Sequence, residues 1–450
     1  MLSGPPLMNN PPPVTSREIW GWGLYDFANS AFATSILAVI FNRYFAEQLA
    51  GGEDGVVLDL FSITLRVPGV TFFTYTLAAA MLVVALLAPV LGAIADSSGT
   101  KKRFLAFFCY MGAGATAMLY FANEGQYWRG AIFFLVAQVG FAAANIFYNA
   151  FLPEISTPKN IGWISGFGFT LGYLGGAIML ALNLVMLSYP QWLGFAHPFS
   201  PQDTFLSVAL WWAVCALPTF LWLKERQSAI QLTPGKSYVR IGIQRVAKTF
   251  SNVRRYRELT KFLIAFLIYN DGIQTTVVIS AIFIDEVLGM SDGMILGLFL
   301  VIQATAFVGA LILGAASDYI GNKRVVLLTL VVWTTVAVWG YFIGITGNTQ
   351  AEVWGLGIVV GLVLGGSQSA SRAIQGTFTP VGNSAEFFAF YGIAGRFSSV
   401  LGPLTYGSVY ALLGARPAIL CLAVFFIIGL LILLTVDEKE GQRQAKMAVA

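Results

Sequence analysis

Long apolar runs alternate with short polar stretches from Trp20 to Leu434, and this rhythm organises the whole chain. A helix needs roughly 20 apolar residues to cross a bilayer, and runs of that length predict twelve spanning helices. The first six are expected at about 19–46, 70–95, 104–123, 129–152, 162–188 and 205–223. The second six are expected at about 260–286, 294–317, 325–345, 353–374, 386–413 and 417–436. The longest polar stretch, Lys224 to Glu258, lies between the two sets. The expected organisation is therefore an N-terminal six-helix bundle with its tail over 1–223, a linker over 224–258, and a C-terminal bundle with its tail over 259–450. The fold class that follows is all-α integral membrane, twelve transmembrane helices in two six-helix bundles.

Composition agrees with a lipid setting. Only 11% of residues are charged, less than half the share typical of soluble domains. The 47 glycines read as close-packing positions between membrane helices rather than as helix breakers. Cys109, Cys215 and Cys421 each sit alone in an apolar run and form neither a metal spacing nor a disulfide framework. Cationic residues are unevenly placed. With both termini in the cytosol, 20 of the 26 Lys and Arg fall on the inner side. Arg43, Arg66, Arg129 and Arg416 fall outside, and Arg372 and Arg396 lie within helices. That bias fixes the expected topology. The start of the chain, with Pro11 to Pro13 and no basic region before a cleavage site, reads as a retained cytosolic tail. In the linker, Val239, Ile243, Val246, Phe250 and Val253 share one helical stripe, with Arg240, Arg245, Lys248, Arg254 and Arg255 around the rest of the wheel. An amphipathic helix at the lipid surface is expected there, tethering the bundles.

A hydrophilic turn occurs twice. Gly92-Ala-Ile-Ala-Asp96-Ser-Ser-Gly99-Thr-Lys101-Lys102 returns 222 positions later as Gly314-Ala-Ala-Ser-Asp318-Tyr-Ile-Gly321-Asn-Lys323-Arg324. Pro153 pairs with Pro380 at an offset of 227, and Gly166 and Gly176 pair with Gly392 and Gly402 at 226. The halves therefore read as parallel six-helix repeats, the pattern of a secondary transporter.

On these residues the chain resembles the major facilitator superfamily along its whole length, since both turns fit that superfamily's loop signature. Tyr25-Asp26-Phe27-Ala28-Asn29-Ser30-Ala31-Phe32 resembles the opening of the vacuolar amino-acid effluxer (autophagy-related) branch and its bacterial relatives. The resemblance implies the major facilitator fold, a cavity lined by the first and seventh helices, and export of small amino acids in fungal members of the branch. It also implies that the turn contacts favour the outward-facing state.

Charges inside spans cost about 2.5–3.5 kcal/mol on insertion scales, so each is expected to have a partner or a task. Asp26 lies about 10 Å into the first helix and Asp271 about 15 Å into the seventh, counted at the helical rise. Tyr25 and Asn29 flank the first acid, Asn270 and Gln274 the second. Either acid could carry a proton or meet a cationic group of the solute. Arg396, at the depth of Asp271, is expected to pair with that aspartate or to bind a solute carboxylate through its planar fork. Arg372 reads as an inner-end residue that snorkels or packs on the gate. Asn145 and Asn149 share a face of the fourth helix, and Gln303 and Gln368 continue a polar lining in the eighth and tenth. Asp96 and Asp318 are expected to accept hydrogen bonds from amides at a helix N-terminus across the bundle interface. With Gly92, Gly99, Lys101, Lys102, Gly314, Gly321, Lys323 and Arg324 they would form a cytosolic gate.

No nucleotide-binding sequence, His/Cys cluster or nucleophile motif is present, so ATP-driven transport and enzymatic chemistry are not expected. The leading expectation is a secondary active transporter moving a small polar solute, such as an amino acid, by alternating access, with protons as a candidate coupling ion. It would need neither cofactor, metal, nucleic acid nor second subunit, and would sit in a bacterial inner membrane with both termini cytoplasmic. Two alternatives stand beside it: an efflux pump for amphiphilic cations, and a non-transporting membrane sensor on the same fold.

Overall fold

The computed structural model describes residues 13–52, 54–60, 63–197, 199–226, 237–251, 256–288, 290, 292–345, 347–380, 382–398 and 401–447. Of the residues named above, Pro11, Pro12, Val253, Arg254 and Arg255 lie outside them. Among the described residues, eleven helices are long and apolar enough to cross a membrane. The first six spans are Ser16–Leu49, Gly69–Ser98, Lys101–Phe121, Tyr127–Ile155, Ile161–Ser188 and Pro201–Trp222. The seventh to tenth are Arg257–Leu288, Asp292–Ile320, Asn322–Phe342 and Thr349–Phe378, and the twelfth is Ala415–Leu434. The eleventh, expected as one helix over 386–413, is instead two: Ser384–Phe397 and Leu401–Leu413. Counted together they complete the twelve-helix, two-bundle architecture.

The first span starts where Thr15 and Glu18 exchange a capping box, which satisfies amide groups that the helix itself cannot. It runs on through two π segments, Phe32–Val39 and Phe45–Leu49. Each widens the turn by one residue, which rotates the faces beyond relative to Asp26 and Asn29. One departure from an all-α chain follows it. Strands β1 (Val56–Leu60) and β2 (Ile63–Val67) form an antiparallel hairpin with Val56 opposite Val67, in a segment read from sequence only as a loop. Its runs of Val, Leu and Ile suit a pleated surface.

Each half has its own apolar core. One gathers Trp22, Phe41, Phe134, Phe205 and Trp212 from the first six spans; the other gathers Phe262, Tyr269, Trp333, Phe378 and Phe426 from the second six. The halves meet where the fifth span packs on the eighth and tenth, and the eleventh packs on the second and fourth. The linker helix, Tyr238–Ser251, packs along the second span. Ile241 is buried, while Val239 and Ile243 on the expected stripe are exposed.

Small residues let the halves approach at one end. A Cβ on Gly92 would lie 2.6 Å from the Ala385 carbonyl oxygen, and one on Gly314 would lie 2.8 Å from Gly166 Cα. Neither obstacle is a flexible side chain. Gly92→Ala and Gly314→Ala should therefore part the halves at this end while leaving each core intact. A cysteine placed at Ser369, buried in the same seam, with Cys109, Cys215 and Cys421 replaced, should then label about tenfold faster, the factor that about 1.4 kcal/mol of lost contact represents. Unchanged labelling would show that the seam tolerates a methyl group.

Candidate functional site: a cross-capped gate and a charged cluster between the halves

Both copies of the turn cap a helix in the opposite half. Asp96 accepts from the amides of Ala385 and Glu386 at 3.1 and 3.0 Å, in the first turn of the eleventh span. Asp318 accepts from the amides of Gly162 and Trp163 at 2.7 and 2.8 Å, in the first turn of the fifth. A carboxylate suits that position, because unsatisfied amides and the helix dipole both favour negative charge there. The expected amide-accepting role of both aspartates is thus what the structure has. Gly99 (φ 61°) and Gly321 (φ 96°) turn the chain between spans in the left-handed region, where a side chain would strain the backbone.

The basic residues differ in what they hold. Lys101 is fully buried; its Nζ meets Glu154, lies 3.8 Å from Asp96 and donates to Ser384 Oγ at 2.9 Å. Lys102 donates its backbone amide to Glu225 at 2.5 Å and its Nζ to the Leu223 carbonyl at 2.9 Å. Lys323 mirrors this, with its amide on Glu438 at 3.4 Å and its Nζ on the Leu434 and Val436 carbonyls at 2.9 and 2.5 Å. These two lysines therefore bind the free carbonyls where each half ends. Arg324 donates to the Ile320 carbonyl at 3.4 Å.

Deeper between the halves lies a cluster that sequence reasoning placed wrongly. Arg372, expected to snorkel or to pack on the gate at the inner end of the tenth span, does not snorkel: it is buried and enclosed by residues of the first half. Its Nη1 sits 3.4 Å from Asp26 Oδ2 and donates to Asn149 Oδ1 at 3.2 Å. Its Nε and Nη2 donate to Ser165 Oγ at 3.0 Å and the Ser165 carbonyl at 2.6 Å. The guanidinium also lies over the Phe169 ring at 3.8 Å and the Trp22 ring at 5.0 Å. Tyr148 donates its hydroxyl to Asp26 at 3.2 Å and stacks on Trp22. Asp26 is thus held by a cation from the other half and by a phenol from its own. The tenth span extends four residues past its expected end, which sets Arg372 farther inside than counting from sequence implies.

Arg396 is the second correction. It does not pair with Asp271. Its Nη1 donates to Gly392 O at 3.1 Å and its Nη2 to Ala142 O at 2.9 Å, in the fourth span. Asp271 instead accepts from the Gly402 amide at 2.9 Å. Arg396 lies in Ser384–Phe397 and Gly402 in Leu401–Leu413. Asn270 stitches the break itself, donating to Ser398 Oγ at 2.5 Å and reaching the Gly395 carbonyl at 3.5 Å.

The remaining polar residues divide. Asn29 donates to Asn145 at 2.9 Å, and Tyr173 donates to Gln368 across the halves at 2.9 Å. Gln274 and Gln303 are half-buried. Tyr25 is fully buried, 5.1 Å from the Tyr148 ring, with no hydrogen-bond partner for its hydroxyl among the described residues.

Solved structures share this architecture. The human organic anion transporter MFSD10 matches with a TM-score of 0.66 over 93% of this chain and 99% of its own, at 14% identity. The proton:xylose symporter XylE matches with 0.64 over 95% and 96%, at 12% identity. FucP in its outward conformation matches with 0.65 over 93% and 98%, at 10% identity. Two six-helix halves of this kind are the major facilitator fold. The sequence profile described as "Vacuole effluxer Atg22 like" matches residues 14–162 and 159–446, and the chain belongs to that family. A Bacillus subtilis (strain 168) relative, described as the uncharacterized MFS-type transporter YxiO, is 30% identical over 93% of this chain and 95% of its own. Autophagy-related protein 22-1 of Penicillium rubens is 24% identical over 87% of this chain and 79% of its own.

Proposed function

We propose that this protein is a secondary active transporter that exports a small zwitterionic solute, an amino acid, by rocking its two halves about a central site. Residues 1–223 and 259–450 are the moving bodies and 224–258 is their tether. A single chain suffices, set in a bacterial inner membrane with both termini and both turns in the cytosol. The distribution of Lys and Arg supports that orientation, and the Bacillus relative supports the setting.

The observation that carries the reading is the ion pair between Asp26 and Arg372, buried inside the molecule and joining the two halves. A charge pair retained between two bodies gives them a specific closed arrangement that can be broken when solute competes for either partner. Arg396 offers a second recognition element. It is half-buried and, among the described residues, bonded only to backbone carbonyls, so its guanidinium is suited to the carboxylate of a solute. The turn contacts join the halves at the termini-bearing end.

Purified protein in liposomes, tested with a panel of amino acids, sugars and organic cations with and without a pH gradient, decides the matter. An amino acid should be taken up in competition with its analogues, and Asp26→Asn should reduce that uptake. Uptake confined to organic cations would replace this reading with the amphiphile-efflux one. No uptake of any compound by a well-folded preparation would favour a sensor.

A further inference from the structure

We propose that the aromatic cage around the Arg372 guanidinium is the subsite for the cationic group of the solute, and that Arg372 is its built-in competitor. The proposal rests on the transporter reading and assigns how the solute's ammonium is held.

The cage belongs to the first half alone. The guanidinium carbon lies 3.8 Å from the centre of the Phe169 ring, 5.0 Å from that of Trp22 and 5.6 Å from that of Tyr148. Four oxygens complete the enclosure: Asp26 Oδ2, Asn149 Oδ1, and the hydroxyl and carbonyl of Ser165. Among the described residues, these are all the partners of a side chain that belongs to the second half. The walls are held without it. The Trp22 indole N–H donates to the Tyr148 carbonyl at 2.9 Å, and the two rings stack with centres 4.6 Å apart. Gly168 leaves the space. A Cβ there would lie 2.7 Å from the Trp22 ring, 2.8 Å from Arg372 Nη2 and 2.8 Å from the Tyr148 hydroxyl.

This chemistry selects a compact cation. Ring faces attract positive charge, most strongly away from water, and Trp22 and Tyr148 are fully buried. A carboxylate and three further oxygens suit a group that donates several hydrogen bonds, as an ammonium or a guanidinium does. A solute carboxylate would meet Asp26 and the same ring faces, and all of these repel it.

The place of the cage couples its filling to the turns. Ser165, which accepts two of the guanidinium's bonds, lies about one helical turn beyond Gly162, whose amide donates to Asp318. While the turns join the halves, Arg372 fills the cage. Parting the halves at that end withdraws Arg372 with the tenth span and leaves Asp26 and the rings to the solute's ammonium. When the halves rejoin, Arg372 returns and displaces it. One cation is exchanged for another, so the buried carboxylate is matched at both stages, and release needs no change in its charge.

Chemical rescue tests this without a known solute. In purified Arg372→Ala, guanidinium ion at millimolar concentration should raise the unfolding temperature saturably. Urea, uncharged and of the same shape, and sodium ion should not. Adding Trp22→Leu should raise the guanidinium concentration required about tenfold, the weight of one desolvated cation–ring contact, and adding Asp26→Asn should abolish the response. If Arg372→Ala does not survive extraction alone, guanidinium in the buffer should restore a monodisperse protein. No rescue, equal rescue by urea or sodium, or rescue that survives Asp26→Asn overturns the proposal. In liposomes, methylammonium should compete with uptake of the solute and acetate should not. Uptake that methylammonium leaves untouched overturns the subsite while the transporter reading stands. If the parental protein moves no solute yet the rescue follows this pattern, the transporter reading fails and the cage remains a cation site.

Discussion

Arg372→Gln should leave a protein that inserts in the membrane but loses about 3–5 kcal/mol of stability, the cost of removing one partner of a buried ion pair. Its transport should fall about a hundredfold or more, since about 1.4 kcal/mol is a factor of ten. The large effect comes from what is left behind. Asp26 would keep only the Tyr148 hydroxyl, and the Ser165 carbonyl and hydroxyl and the Asn149 amide oxygen would lose their donor together. The double variant Asp26→Asn/Arg372→Gln is the informative control. Replacing both charges removes the orphan, so thermal unfolding in detergent should recover most of the lost stability while transport stays low. Equal stability of the single and double variants would mean that the pair is not energetically coupled, and the ion pair would lose its place as the element joining the halves.

Asp96→Asn and Asp318→Asn should each loosen the termini-bearing end. An asparagine keeps one acceptor oxygen and loses both the charge and the second amide contact. Hydrogen bonds to charged groups contribute about 1.5–3 kcal/mol, so each variant should shift the closed–open balance by about ten- to a hundredfold. The two sites share no partner, one capping the eleventh span and the other the fifth, so the double variant should combine their effects. Spin labels at Lys159 and Tyr319, exposed on opposite halves, would report it. A longer distance should grow in each single variant and dominate in the double. A distribution unchanged in the double would reduce the turns to topology signals.

The symmetry of these caps was legible in the sequence, and the asymmetry of the cluster was not. The turn repeats as a motif because each aspartate meets the same local geometry, a helix start in the other half. Arg372 has no counterpart pattern, and its partners lie 207 to 346 residues away in the chain. One signal was available: Ser367, Gln368, Ser369, Ser371 and Gln375 surround it, which marks a polar interior better than a helix end. The separation of Arg396 from Asp271 was missed because the eleventh span was taken as continuous. Pro403 was the clue there, since proline suits the first turn of a helix, where its missing N–H would have no partner. The hairpin after the first span has strands of five residues each, far short of the roughly 20 apolar residues that mark a spanning helix.

The order of apolar and polar residues by itself determined the membrane class, the twelve spans, the duplication and the two capping aspartates. All of these are local: a run long enough to cross the bilayer, or an acid a fixed distance from a glycine. Which charges meet was decided only by packing. Partners come from helices remote in the chain, and their approach depends on helix breaks, π segments and glycine contacts that shift a side chain by a turn or reverse the face it presents.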